Sequence, residues 1–124
     1  MIVTITGSRN SMSAQDKEFV FGVLNRLQVS IYAMFVGDAT GIDDLASEWA
    51  LELQRTCYKY YANWHKYDRA AGPIRNKIML DAAKKYADGC QRDVVLLAFP
   101  GGSGTRNCMK QAKEMNIQVL RIDR

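Results

Sequence analysis

Histidine occurs once in the 124 residues, at His65, and the three cysteines, Cys57, Cys90 and Cys108, stand far apart without a Cys-x-x-Cys pair. A zinc cage would have to be gathered from positions with no local spacing to support it, so neither a metal nor another cofactor is expected. Three scattered thiols also cannot make the disulfide framework of a small secreted domain, which points to a reducing compartment. No apolar run approaches the ~18 residues needed to cross a bilayer, and the start, Met1-Ile2-Val3-Thr4-Ile5, lacks the basic residues of a secretory signal. A cytoplasmic protein with no membrane partner is therefore expected. Prolines number only two, and hydrophobic residues make up 48% against 24% charged, an ordinary balance for a packed domain and a poor one for disorder. Neither sign of charge dominates: seventeen Lys and Arg against thirteen Asp and Glu leave +4, which tolerates anionic partners without demanding a nucleic-acid polymer. The length has room for one core, so residues 1–124 are read as one domain.

What is present is a regular alternation. Ile2 to Thr6 is a β-branched run closed by Gly7-Ser8-Arg9-Asn10, as where a buried strand meets a turn. From Gln15 to Gln28 the apolar residues Phe19, Val20, Val23, Leu24 and Leu27 keep helical spacing, with Ser13 or Asp16 as the cap. Ile31 to Val36, Cys57 to Tyr61, Val94 to Phe99 and Gln118 to Ile122 read as four further strands. Helices are expected from Ile42 to about Gln54, and from Pro73 with Ile78, Met79, Ala82, Ala83 and Tyr86 on one face. A last helix should follow the glycine cluster, with Cys108, Met109, Ala112 and Met115 inward, and residues 62 to 72 read as a longer loop. Five strands alternating with four helices predict an α/β fold, a Rossmann-like three-layer sandwich around a five-stranded parallel sheet of order 3-2-1-4-5. In such a sheet the ligand crevice lies beyond the C-terminal ends of strands one and four, where the strand order reverses.

The loops at that edge carry the candidate chemistry. At Gly101, Gly102 and Gly104 the missing side chains allow positive φ and let the backbone approach a ligand, while the next helix offers unpaired N–H groups and a partial positive charge to a phosphate. Ser103 and Thr105 add hydroxyls, and Thr105 is a candidate cap. Pro100 leads into this loop, and Gly7, Ser8 and Arg9 follow the first strand. Gly72-Pro73-Ile74-Arg75-Asn76 opens another helix on the same edge, where Arg75 offers a fork of donors. Neither a Walker-type Gly-Lys-Ser/Thr loop nor Gly-x-Gly-x-x-Gly is present, which disfavours triphosphate hydrolysis and ordinary dinucleotide oxidoreduction. Gly37 and Thr40 flank Asp38, and Asp38 and Asp43 would repel a phosphate but suit ribose hydroxyls or the donors of a base. Trp64 could stack on a base.

Taken together, Val3-Thr4-Ile5-Thr6-Gly7-Ser8-Arg9, Gly37-Asp38-Ala39-Thr40-Gly41-Ile42-Asp43, Ala62-Asn63-Trp64, Ala71-Gly72-Pro73-Ile74-Arg75-Asn76 and Ala98-Phe99-Pro100-Gly101-Gly102-Ser103-Gly104-Thr105 resemble the SLOG superfamily. This Rossmann-like group joins DNA-processing protein A and the LONELY GUY phosphoribohydrolases, and the chain is most similar to its small YspA-related members. The resemblance implies a pocket for a nucleotide or nucleotide-derived ligand and, as in many relatives, a homo-oligomer. In the phosphoribohydrolases a Pro-Gly-Gly-x-Gly-Thr-x-x-Glu motif supplies a glutamate for N-glycosidic cleavage; here Cys108 holds that position. A neutral thiol cannot replace a carboxylate beside an oxocarbenium-like centre, so activity would need another acid, for which Asp43 or Asp38 is the candidate.

Three functions compete. An N-glycosidic hydrolase or transferase acting on nucleoside monophosphates would release free base. A non-catalytic sensor or sequestering module would bind a nucleotide-derived signal and leave it unchanged. Single-stranded DNA binding ranks last, because Lys59, Lys66, Arg69, Lys84, Lys85, Arg121 and Arg124 are scattered and no aromatic-interleaved basic stripe is visible.

Overall fold

The computed structural model describes residues 1–124. Its first strand, β1 (Ile2–Thr6), is buried along its whole length and lies at the centre of the sheet. On one side it pairs in parallel with β2 (Ala33–Gly37), in the register Ile2 with Ala33; on the other it pairs with β4 (Val94–Ala98), Ile2 with Val94. The remaining strands, β3 (Cys57–Tyr60) and β5 (Gln118–Arg121), form the two edges, so the order is β3-β2-β1-β4-β5 and every pairing is parallel. This is the expected Rossmann-like sheet. β-Branched and aliphatic residues dominate the three central strands because both faces are covered.

The crossover helices α1 (Ala14–Leu27) and α2 (Ile42–Glu52) cover one face, where Val3, Ile5, Val36, Leu97 and Trp49 pack together. The other face is covered by α4 (Ala71–Gly89) and α5 (Ser103–Glu114) over Ile2, Phe35, Leu96, Met79 and Cys108. Alternate residues of β1 thus serve opposite cores. Helix α1 begins at a capping box: Ser13 Oγ accepts from the Asp16 N–H, and an Asp16 carboxylate oxygen accepts from the Ser13 N–H, both at 3.0 Å.

Three expectations need correction. Residues 62 to 72 are not a loop: α3 (Trp64–Tyr67), capped by Asn63, is followed by a 3-10 turn, Asp68–Ala70, and α4 starts at Ala71. Residues 63 to 70 are exposed throughout, so they carry no apolar period from which a one-turn helix could be read. On α4, Met79 and Ala83 are buried and Ala82 and Tyr86 pack against the same core as expected, but Ile78 is exposed, and Asn76, Leu80 and Ala87 complete the inward stripe. Strand β2 starts at Ala33 rather than Ile31, because Gln28–Ser30 form a 3-10 turn that delivers Ile31 to the core as a loop residue.

Candidate functional site

Above the C-terminal ends of β1 and β4 lies a cavity of about 640 Å³, within the usual ~300–1,000 Å³ range of small-molecule sites. The end of β1 contributes Thr6 and the segment after it Gly7 to Asn10, and the segment after β4 contributes Gly102 to Thr105. The start of α4 contributes Gly72, Pro73, Arg75 and Asn76, and Asp43 closes the α2 side. Trp64 and Arg69 stand at the α3 side. Thirteen of the candidate residues therefore meet in one hollow: Gly7, Ser8, Arg9, Asp43, Trp64, Gly72, Pro73, Arg75, Asn76, Gly102, Ser103, Gly104 and Thr105.

The other five do not line it. Gly37 backs it, at a point where a Cβ would strike the Arg75 guanidinium and the Asp43 carboxylate, so those two side chains converge over its bare Cα. Asp38 accepts from Arg75 Nη1 at 2.6 Å and from the Ala62 N–H at 3.3 Å. Thr40 donates its hydroxyl to the Arg9 carbonyl at 2.7 Å. Pro100 accepts from the Ser8 N–H at 2.9 Å, and Pro100 and Gly101 face a smaller neighbouring cavity.

None of Gly101, Gly102 and Gly104 has a positive φ; among the glycines only Gly41 does, at +80°. The requirement at Gly101 is close approach, since a Cβ there would run into Thr105 Oγ1 and the backbone of Gly7 and Ser8. Gly41 is needed on both counts, because a Cβ would also collide with the Ser8 carbonyl. Thr105 is not the cap of α5 either. The cap position is Gly102, which has no side chain to offer, and α4 likewise starts from Ala70 without a side-chain cap. The α5 N-terminus, with its unanswered N–H groups and partial positive charge, therefore opens on this space, whereas at the start of α4 the Ala71 N–H is already bonded to the Asp68 carbonyl and Pro73 has none to give. Thr105 lies inside the first turn, 5% exposed, and its Oγ1 has no hydrogen-bond partner.

Charge in the cavity is arranged in layers. Arg75 is held by its bond to Asp38 and by donation from Nε to Asn76 Oδ1 at 3.0 Å, which fixes the plane of the guanidinium. Its ion pair is with Asp38, and both side chains are largely buried. Asp43 is 5% exposed and accepts only from the Ala39 N–H at 3.2 Å. Burial pushes its carboxyl up to about 6, against the opposing pull of Arg75 and the Ala39 N–H. At the rim, the Arg9 guanidinium sits 5.9 Å from the centroid of the half-exposed Trp64 ring. Cys108 lies in the core beneath the site, and burial pushes its thiol up to about 12, so it remains a neutral thiol at ordinary pH.

Asn107 lines the cavity and was missed by the sequence reading. Gln111 Nε2 donates to Asn107 Oδ1 at 2.7 Å and to the Pro73 carbonyl at 3.0 Å, tying α5 to the start of α4. Asn76 Nδ2 reaches Asn107 Oδ1 at 3.3 Å from the other helix. Asn107 and Gln111 follow Ser103 at successive i+4 steps, so a polar stripe on the helix wheel was the available signal. Arg69, in an exposed 3-10 turn, left none.

No known family profile matches this chain. The Gene 61 protein of Mycobacterium phage D29 is 35% identical over 128 residues, which span 95% of this chain and 93% of that protein. Among solved structures, DNA processing protein A (DprA) from Streptococcus pneumoniae aligns over 95% of this chain with a TM-score of 0.52 and 19% sequence identity. The chain spans 57% of that protein's length, and the likeness is one of fold. The part of the motif resemblance that concerns DNA-processing protein A is supported at that level.

Proposed function

We propose that this chain, which belongs to the family of the Gene 61 protein of Mycobacterium phage D29, binds a nucleotide or nucleotide-derived ligand in the cavity over β1 and β4. The observation that carries the reading is the convergence of the uncapped α5 N-terminus with Arg9, Arg69 and Arg75 on one hollow. Such an arrangement answers a phosphate from several directions without a metal. Trp64 offers a face for a base at the rim, and Asp43 offers a carboxyl to the sugar from the α2 side. Within this reading the chain is a small YspA-related member of the SLOG group, a single unit of 1–124 that works in the cytoplasm as a homo-oligomer.

If the ligand is turned over, the bond at risk is the N-glycosidic one. Asp43, with a carboxyl near 6, can exist in both protonation states near neutrality, as proton transfer requires. In the carboxylate form it would take a proton from water attacking the anomeric carbon, while the departing base acquires a proton and sugar phosphate remains. Asp38, committed to Arg75, serves as a positioning residue for the guanidinium. The second reading, binding without turnover, is favoured by the neutral Cys108 at the motif position of the glutamate. A third, single-stranded DNA, draws only on the shared fold with a protein named for DNA processing.

The test is a thermal-shift panel of nucleoside monophosphates, NAD and cyclic dinucleotides, run beside chromatography for liberated base. A raised Tm with free base supports the glycosidase, and a raised Tm with intact ligand supports the sensor. No shift with any of them, and none with Arg75→Ala as the comparison, overturns nucleotide binding.

A further inference from the structure

Next to the main cavity, and sharing Thr105 with it, lies a second hollow of about 300 Å³ over the C-terminal ends of β4 and β5. Met109 and Ile122 give it an apolar floor, and the exposed Arg106 and Arg121 flank it. The ion pairs of the molecule are Lys17 with Glu48, Lys59 with Asp44, Arg75 with Asp38 and Arg124 with Asp16, so neither of these arginines is neutralised. Asp123 also lines the hollow, which leaves two cations against one anion. At the partition, beneath Gly101, lies the buried Thr105 Oγ1 with no partner in the protein. Native proteins rarely leave a buried hydroxyl unanswered. Thr105 and the Gly101 backbone above it form the wall that the two hollows share.

We infer that the second hollow is an anionic subsite for a further phosphate of a ligand whose first nucleotide occupies the main cavity; the inference rests on the nucleotide reading above. A free inorganic anion would need donors alone, whereas apolar surface framed by guanidinium groups suits a phosphate attached to a sugar and base. The ligand class is therefore a phosphodiester-linked pair of nucleotides, supplied either by a free dinucleotide or by the 5′ end of a single strand. Thr105 forms the partition between the two hollows, and the Pro100-Gly101 rim over it is the saddle that the linkage crosses.

Isothermal titration of the full chain tests this with nucleoside 5′-monophosphates of the four bases, the matching 5′-phosphorylated dinucleotides, and short 5′-phosphorylated single strands. The dinucleotide should bind about tenfold or more tighter than the monophosphate. The double variant Arg106→Ala/Arg121→Ala should erase that gain and leave monophosphate affinity unchanged. Strands that match the dinucleotide identify a strand end as the source; strands that are rejected identify the free dinucleotide. A dinucleotide that binds no better than the monophosphate, or a gain that survives the double variant, overturns the subsite and leaves the nucleotide reading standing. Absence of binding by all probes overturns both.

Discussion

Asp43 folds into a place that suits its neutral form. Its carboxyl is near 6 in the folded chain against an ordinary value of 3.8, so the folded state keeps a proton that the unfolded chain gives up. The contribution to stability is therefore best below about pH 4, declines as pH rises from about 4 to 6, and is flat above, with a loss of roughly 2–3 kcal/mol across that window. Asp43→Asn keeps an acceptor for the Ala39 N–H and removes the titration. Urea unfolding from pH 4 to 8 should show a flattened profile and a gain of roughly 2 kcal/mol at pH 8, alongside loss of any turnover; parallel profiles for the two proteins would refute the assignment. Thr105→Val should act in the same sense. Removing the unanswered hydroxyl should stabilise the free protein by about 1 kcal/mol, read as a higher Tm, while weakening nucleotide binding. The sequence makes both residues visible as polar groups at a glycine-rich edge, but Thr105 reads there as a cap. Only the folded chain shows it inside the first turn, three residues past the Gly102 cap, because hydroxyl burial has no periodic signature.

At the scale of elements, the helices that frame the site are locked to each other by amide side chains. Gln111 joins the Pro73 carbonyl of α4 to Asn107 of α5. Gln111→Ala should cost about 1 kcal/mol of stability and weaken nucleotide binding several-fold, since the two N-termini would no longer be fixed relative to one another. Ser13→Ala provides the contrast: loss of the capping box should destabilise α1 by about 1 kcal/mol with no change in ligand affinity, because α1 lies on the opposite face of the sheet. Chemical denaturation paired with titration separates the two outcomes. Strands β1 and β4 were legible because both of their faces are buried and the residues are uniformly apolar or β-branched. Helix α3 was not, since a single exposed turn depends on the Asn63 cap alone.

Across the whole molecule, five arginines from separate parts of the chain meet over the C-terminal ends of the strands. Arg9, Arg69 and Arg75 surround the main cavity, while Arg106 and Arg121 surround its neighbour, although the net charge of +4 gives no hint of this concentration. Affinity for a nucleotide should fall as salt is raised. A single strand crossing both hollows should fall more steeply, by about 0.7 in logarithmic slope for each phosphate contacted, as measured by titration at several salt concentrations. Equal slopes for a mononucleotide and a strand would show that only one phosphate is held. The strand order and the site of its reversal were legible because alternation and right-handed crossover leave few topologies. The distribution of arginines was not, since Arg9, Arg75 and Arg121 meet one edge only through the sheet.

Ser8 donates to the Pro100 carbonyl at 2.9 Å and accepts at its own carbonyl from the Ile42 N–H at 3.0 Å. One short peptide thus staples the three loops that follow β1, β2 and β4 before anything arrives from solution. Such a floor has little left to order, so the heat-capacity change on association should track the apolar surface covered and carry no contribution from folding of a segment. The Ser8 amide should likewise exchange with deuterium as slowly without ligand as with it.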